Sequence, residues 1–501
     1  MNTRLRLASL TALALASLGT SQRAEAYVFG DPLTFASGKL ALDFNARVRV
    51  ESRSNTFDFN SATETVNDDT FTLGRFRLGA KYTASPRLSF YAQLQDVREF
   101  DSTRPDVPYV NAAEGNDPAD LRQFYMDFGD PRDDLACVRL GRQMLAYGDE
   151  RLIGGFEWNN LARTFDAAKL TLNLSDIRTT IDAFVGSVVT SANRNLGDEH
   201  DAKFNTSDIH DLFAGIYLQS SGALPNQKSD LYLLYRGKTR NGPFYRPNTL
   251  TTGTSGVAPF DIPEKIFTLG YRAQSISSAR LKGFDYIVEG ALQWGKARPG
   301  LTNAVTLVPD WYDHSAYAFH AELGYNLDKS PFVPRFAIEH NIASGDSNPG
   351  DTRSEGFLNL FHTNHKFYGY MDLLGWKNMR NTAVTLRLKP LAKLDSSLKK
   401  SILRIDYHWF ALKTNQDLWY RANAITAVAS PSAAVRSTLP RTIGTEIDLT
   451  WTWAPSPPYE FLLGFSHFTQ GDYLAAARAV GGVPGRADSA QFLYAQTVVK
   501  F

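Results

Sequence analysis

The feature that most constrains this chain is an alternation in the stretch ALDFNARVRVESR, residues 41–53. Leu42, Phe44, Ala46, Val48 and Val50 share one parity, and Asp43, Asn45, Arg47, Arg49, Glu51 and Arg53 share the other. Successive side chains of an extended strand point to opposite faces, whereas a 3.6-residue helical period would scatter both sets around the axis. The stretch is therefore a strand with one apolar face and one charged face. A soluble sandwich produces the same alternation once, so recurrence decides.

The pattern recurs in pieces of about ten residues. TLGRFRLGAKY sets Phe76, Leu78, Ala80 and Tyr82 against Arg75, Arg77, Gly79 and Lys81. SAYAFHAELGYNL, SILRIDYHWFAL and GTEIDLTWTW repeat it around Phe319, Tyr407 and Leu449. Beyond the first 26 residues no run of 18 apolar residues occurs, so the sequence contains no transmembrane helix there. Length and period match membrane-crossing β-strands whose lipid-facing residues alternate with lumen-facing polar ones. A hydrophobic content of 43% suits that arrangement, because half of each strand faces water, and 12% aromatic residues supply the interfacial girdles.

Both ends agree. Arg4 and Arg6, the apolar run Leu7 to Leu18 and Ala24-Glu25-Ala26 read as a secretory signal peptide, residues 1–26, with Tyr27 as the new N-terminus. Its removal takes Lys plus Arg from 53 to 50 and Asp plus Glu from 52 to 51, so no global field favours nucleic acid. The single cysteine, Cys137, excludes an intrachain disulfide framework and reads as a packed or pore-facing strand residue. The final QFLYAQTVVKF is a strand ending in Phe501, similar to the C-terminal signature of bacterial outer-membrane barrels.

About 19 candidate segments follow Leu40. Bacterial barrels have even strand numbers, so the expectation is an all-β, transmembrane antiparallel β-barrel of about 18 strands, outer-membrane type. It occupies residues 27–501 as one domain, with FYGYMDLLG (367–375) carried in a loop. Short turns such as 83–87 alternate with long polar stretches at 99–120, 190–210, 240–263, 344–364, 413–440 and 470–489, the short set periplasmic and the long set extracellular. A propeller would show a blade repeat, and a sandwich of this length would need a second apolar sheet to cover the first.

The stretch RLGRQMLAYGDERLIGGFEWNNLARTFDAAKL, residues 139–170, resembles the hallmark segment of the alginate export family of outer-membrane porins: GRQ, then GD-x-R-L-x-G, a Trp, and R-x-F-D opening the next strand. FLNLFHTNHKFYGYMDLLGWKNM, residues 357–379, is also similar to that family. The resemblance implies an 18-stranded monomeric barrel with an electropositive constriction. It is weakly specific for cargo. Beside it, Gly141, Gly148, Gly154 and Gly155 permit tight bends, so the residues from Tyr147 to Asn160 are expected to fold back as a loop or sharp turn. Arg142, Arg151 and Arg163 either brace the wall by pairing with Asp149, Glu150, Glu157 and Asp166 or form a ladder for passing carboxylates.

If the apolar parity faces lipid, then Arg47, Arg49, Arg53, Arg75, Arg77, Lys81, Arg139, Lys169, Arg236, Arg272, Arg387 and Arg404 face the lumen. Asp43, Glu51, Asp127, Asp182, Glu289, Glu446 and Asp448 join them, leaving a modest basic excess concentrated in the first two strands. Rings of Arg and Lys select anions, and the guanidinium fork matches a carboxylate. The pore-lining set is completed by Arg142, Arg151, Arg163 and Asp166. A calcium loop at Asp346, Asn348 and Asp351 lacks the EF-hand pattern, and His362 and His365 beside Asp372 read as solvated loop residues before they read as metal ligands.

No cofactor is expected. The expected function is a passive channel for an anionic polysaccharide or its oligomers, a polyuronate such as alginate favoured, with a general porin as the alternative. A barrel enzyme would need a nucleophile and a histidine on the outer rim, and no such triad can be read. Outer-membrane lipid and periplasmic export partners complete the expected surroundings of a monomer.

Overall fold

The computed structural model describes residues 33–56, 59, 68–103, 116–190, 204–238, 264–297, 311–424, 427–428, 431–481 and 488–501. The expected signal peptide, residues 1–26, lies outside them. Eighteen strands, from Leu40–Ser54 to Ala490–Lys500, form one antiparallel barrel in which each pairs with its neighbours in sequence. The first and last strands pair from Asn45↔Lys500 to Ser54↔Gln491, which closes the sheet and leaves no edge exposed. Two short strands stand outside this count, Leu33–Phe35 on the first barrel strand and Arg353–Ser354 on Tyr312–Asn326. No helix among the described residues is long and apolar enough to cross a membrane.

The alternation works as the sequence implies. Val48, Val50, Phe76 and Leu78 point outward and are 42 to 53% exposed, while Arg47, Arg49, Arg75 and Arg77 point inward and are buried. Aromatic pairs band the outside: Phe284 with Tyr325 and Trp453 with Phe461 near the short turns, Phe267 with Trp294 near the other rim. Eight short turns and both strand termini lie at one end. The connections at the other end are longer and include 144–164, 344–378 and 413–441. FYGYMDLLG lies in the second of these and forms no strand, as expected.

The inside departs from a simple polar bore. Toward the long-loop end the inward face turns apolar: Phe71 and Leu73 share the parity of Arg75 and Arg77, and Phe165, Phe213, Phe468 and Phe492 are likewise inward and buried. Phe165, Phe213, Phe468 and Phe492 form one cluster with Leu152, Ile153, Phe361, Leu373, Trp376 and Trp419, all carried by infolded connections. The barrel therefore holds an internal hydrophobic core in its long-loop half, where apolar burial stabilises the inserted segments. Toward the short-turn end the inner wall carries Asp43, Lys81, Tyr125, Arg139 and Lys169, none of them fully buried. Cys137 is buried on the inner face, its Sγ 3.4 Å from the Gly129 carbonyl.

Candidate permeation path and constriction

Two infolded segments, 144–164 and 344–378, narrow the barrel and are tied to each other. Ile153 and Phe361 form a parallel bridge, flanked by Gly154 N–H donating to the Phe361 carbonyl (2.8 Å) and Phe361 N–H donating to the Leu152 carbonyl (2.8 Å). Arg163 donates to the carbonyls of Gly154 (3.1 Å) and His362 (3.0 Å). Gly148 takes φ of +58° where the first segment turns inward, a conformation that disfavours larger residues. A third connection braces the second: Trp419 Nε1 donates to the Leu373 carbonyl at 2.8 Å.

The tip of the first segment rests on the arginines of the first barrel strands. Arg47 donates to the Glu157 carbonyl (2.6 Å) and to Asn160 Oδ1 (2.7 Å), and Arg49 donates to the Trp158 carbonyl (2.7 Å). The Glu157 carboxylate lies 3.2 Å from Arg75, 2.7 Å from Arg77 and 2.5 Å from Arg122. Glu51 pairs with Arg49 (2.6 Å) and Arg53 (2.7 Å). Trp158 stacks on His365 at 3.7 Å between centroids, with the Arg49 guanidinium 3.9 Å from its ring centre. Six guanidiniums, those of Arg47, Arg49, Arg53, Arg75, Arg77 and Arg122, thus converge on two carboxylates and two backbone carbonyls, and the strong, charge-assisted bonds hold the tip in place.

Across the lumen the pattern is carboxylate-rich. Buried Arg151 lies near Glu289 (4.0 Å), bonds His320 (3.1 Å) and sits over Phe367. Arg272 pairs with Asp149 (2.5 Å) and Asp230 (3.4 Å). Met371 N–H donates to Glu446, beside Asp448 on the inner wall. Elsewhere on the wall the cations are matched by carboxylates: Arg139 with Asp127, Lys169 with Asp182, Arg236 with both Asp211 and Glu264, and Arg404 with Asp406. Arg387 differs. It lies between Arg335 and Arg404 in register and has no carboxylate within 4.0 Å among the described residues.

The structure brings Arg47, Arg49, Arg53, Arg75, Arg77, Arg151 and Arg163 to the constriction and its supports, and places Lys81, Arg139, Lys169, Arg236, Arg387 and Arg404 on the inner wall. Arg142 and Asp166 are a correction: they pair with each other (2.8 Å) in register opposite the outward Phe124, on the outer face. Parity decides this, since Arg139, Gly141 and Gln143 take the inward positions of that strand. Asp346 and Asn348 bond within their own loop, and Asp346 N–H donates to Asp417 (2.9 Å). The described residues contain no group of three His, Cys, Asp or Glu arranged to hold a metal ion. His362 and His365 are buried rather than solvated, His365 bonding Asp372 at 2.8 Å.

Arg122 escapes a reading by parity. A bulge shifts the register after Gln93↔Gln123, and Ala119 takes φ of +54°, so Arg122 turns inward out of step with its neighbours. A local sign existed in the Asp117-Pro118 start of that strand, since proline rarely sits in a regular ladder.

The family profile for alginate export matches residues 39–481, nearly the whole of the barrel. The chain belongs to the alginate export family. No curated protein sequence matches it. Among solved structures, similar folds include Pseudomonas aeruginosa OccK9 (OpdG), at 10% identity and TM-score 0.55, with 92% of this chain and 98% of that one covered. Acinetobacter baumannii OccAB4 aligns at 12% identity and TM-score 0.53 over 92% and 98%. Pseudomonas aeruginosa OprD aligns at 11% and 0.52 over 94% and 97%. At these identities the likeness shows the fold: an outer-membrane porin barrel. With the alginate export family match it supports an outer-membrane channel.

Proposed function

We propose that this channel passes an anionic polysaccharide or its oligomers, a polyuronate of the alginate kind favoured, through an electropositive constriction. One observation carries the reading: among the described residues, Arg47, Arg49, Arg53, Arg75, Arg77 and Arg122 converge on one side of the constriction around the carboxylates of Glu51 and Glu157. Guanidinium forks pair bidentately with carboxylates, and several weak sites let a polymer advance from one to the next. The lone Arg387 below supplies a further cationic station on the same path. The protein acts as a monomer in outer-membrane lipid, cleaved after Ala26, with any export partners on its short-turn end.

A general porin of the same fold is the second reading. The one-to-one pairs Arg139 with Asp127 and Lys169 with Asp182 favour it, because they cancel the field over much of the wall. Planar-bilayer conductance with acidic and neutral oligosaccharides separates the two. Block by a trisaccharide of galacturonate but not by maltotriose supports the polyuronate channel; equal indifference to both supports the general porin.

A further inference from the structure

We infer that the Glu157 carboxylate is a built-in occupant of the channel's own anion site, which an incoming anion must replace. The inference rests on the polyuronate reading for the identity of the cargo, and on geometry alone for the occupancy.

Three arginines from two different barrel strands, Arg75 and Arg77 on Asp69–Ser85 and Arg122 on Asp117–Phe128, converge on that one carboxylate. Their side chains are 5 to 7% exposed, yet the Glu157 side chain is 41% exposed. The site therefore opens toward the lumen and its occupant sits at the mouth, where a solute carboxylate meets the same three forks. Burial alone would raise the Glu157 carboxyl, but Arg122, Arg77 and Arg75 overcome it and hold the group well below the usual carboxylate range. It is a permanent anion at working pH.

The carboxylate is also not what keeps the tip inside. The carbonyls of Glu157 and Trp158 and the Asn160 amide are held separately by Arg47, Arg75 and Arg49. Trp158 is further clamped between His365 and Arg49. Backbone and aromatic anchors position the tip, and the side chain is left to set the charge of the gap. Displacing it costs the rotamer of one glutamate and not the position of the segment. A carboxylated polymer can then trade one carboxylate for another at each step, with the resident group refilling the site behind it.

The test measures reversal potential across a potassium chloride gradient in planar bilayers, followed by block with the galacturonate trisaccharide. Glu157→Gln keeps the size and one acceptor oxygen while removing the charge. It should move the reversal potential toward anion preference and tighten block about tenfold, the value of one charged hydrogen bond. Glu157→Cys in a Cys137→Ser background is the second variant. A negatively charged methanethiosulfonate reagent should return its reversal potential to the unsubstituted value, and a positively charged one should drive it further toward anions. A reversal potential that none of these changes move overturns the inference. Shifted reversal potentials with no block in any protein would leave the occupancy standing and sink the uronate cargo.

Discussion

The ring of Phe501 stacks on that of Phe44, 5.3 Å between centroids, while their backbones exchange both hydrogen bonds, Phe44 N–H to Phe501 at 2.8 Å and Phe501 N–H to Phe44 at 3.1 Å. The last residue of the chain is thus a structural part of barrel closure, adding a rung to the seam that begins at Asn45↔Lys500. Deleting Phe501 removes that rung and an aromatic pair, about 1 kcal/mol for the ring contact beyond its buried area. The shortened protein should reach the periplasm and assemble poorly in the outer membrane. Heat-modifiable migration on gels checks this, and normal migration would show that the seam closes without its last rung.

Replacing Arg47, Arg49, Arg75 and Arg77 together by Ala removes the anchors of the Glu157–Trp158 tip along with four positive charges. Each charged hydrogen bond lost costs about 1.5–3 kcal/mol. The variant should conduct more, with greater open-channel noise, and lose anion preference. Single substitutions should do less, since the remaining arginines still hold part of the tip, the Glu157 carbonyl being shared by Arg47 and Arg75. A quieter or unchanged channel would mean that the third connection, through Trp419, is sufficient to hold the plug.

Arg387→Gln should lower anion preference with no added noise. Arg387 lacks a carboxylate partner among the described residues, so its loss orphans no buried charge, and it lies in register between Arg335 and Arg404 on the wall. Reversal potential and noise analysis on one preparation measure both effects. Added noise would mean that the lower wall and the plug are mechanically joined.

Acid should loosen the plug. Burial, and then the neighbouring Arg163, depress His362 from an ordinary 6.5 to about 4, and its Nδ1 lies 2.6 Å from the Asn359 carbonyl. Between those values the packed state binds fewer protons than the open state. The contribution is therefore whole above about 6.5 and lost as pH falls through 4, on the order of 3 kcal/mol at most. Conductance noise should rise over that window in the unsubstituted channel and less in His362→Asn. A flat pH response would place His362 outside the plug's energetics.

Much of the barrel was legible because lipid on one side and water on the other impose a period of two on every strand. The strand number, the loop-borne Phe367–Gly375 stretch and the inward Arg47, Arg49, Arg75 and Arg77 all follow from it. Where the inside stops being water, the rule weakens. Phe213 and Phe492 face inward, against a core supplied by segments far away in sequence, and no local pattern records that partner. Arg142 fails for another reason: lying beside the constriction segment in sequence does not fix a side chain's face, and its pairing with Asp166 on the outer wall follows strand parity. Arg122 fails because one bulged residue reverses parity. The arginines themselves were readable, but not their occupant, since the contact between Arg77 and Glu157 spans 80 residues and depends on how the tip folds back.

The bridge between Ile153 and Phe361 has a mechanical meaning. Joined at that rung and by Arg163, the two infolded segments cannot swing apart like separate shutters; whatever lifts one tugs on the other. The narrow part of the passage is a single hinged body whose two stems rise from well-separated strands of the wall. A push from cargo on the arginine side would be felt on the carboxylate side before anything passed.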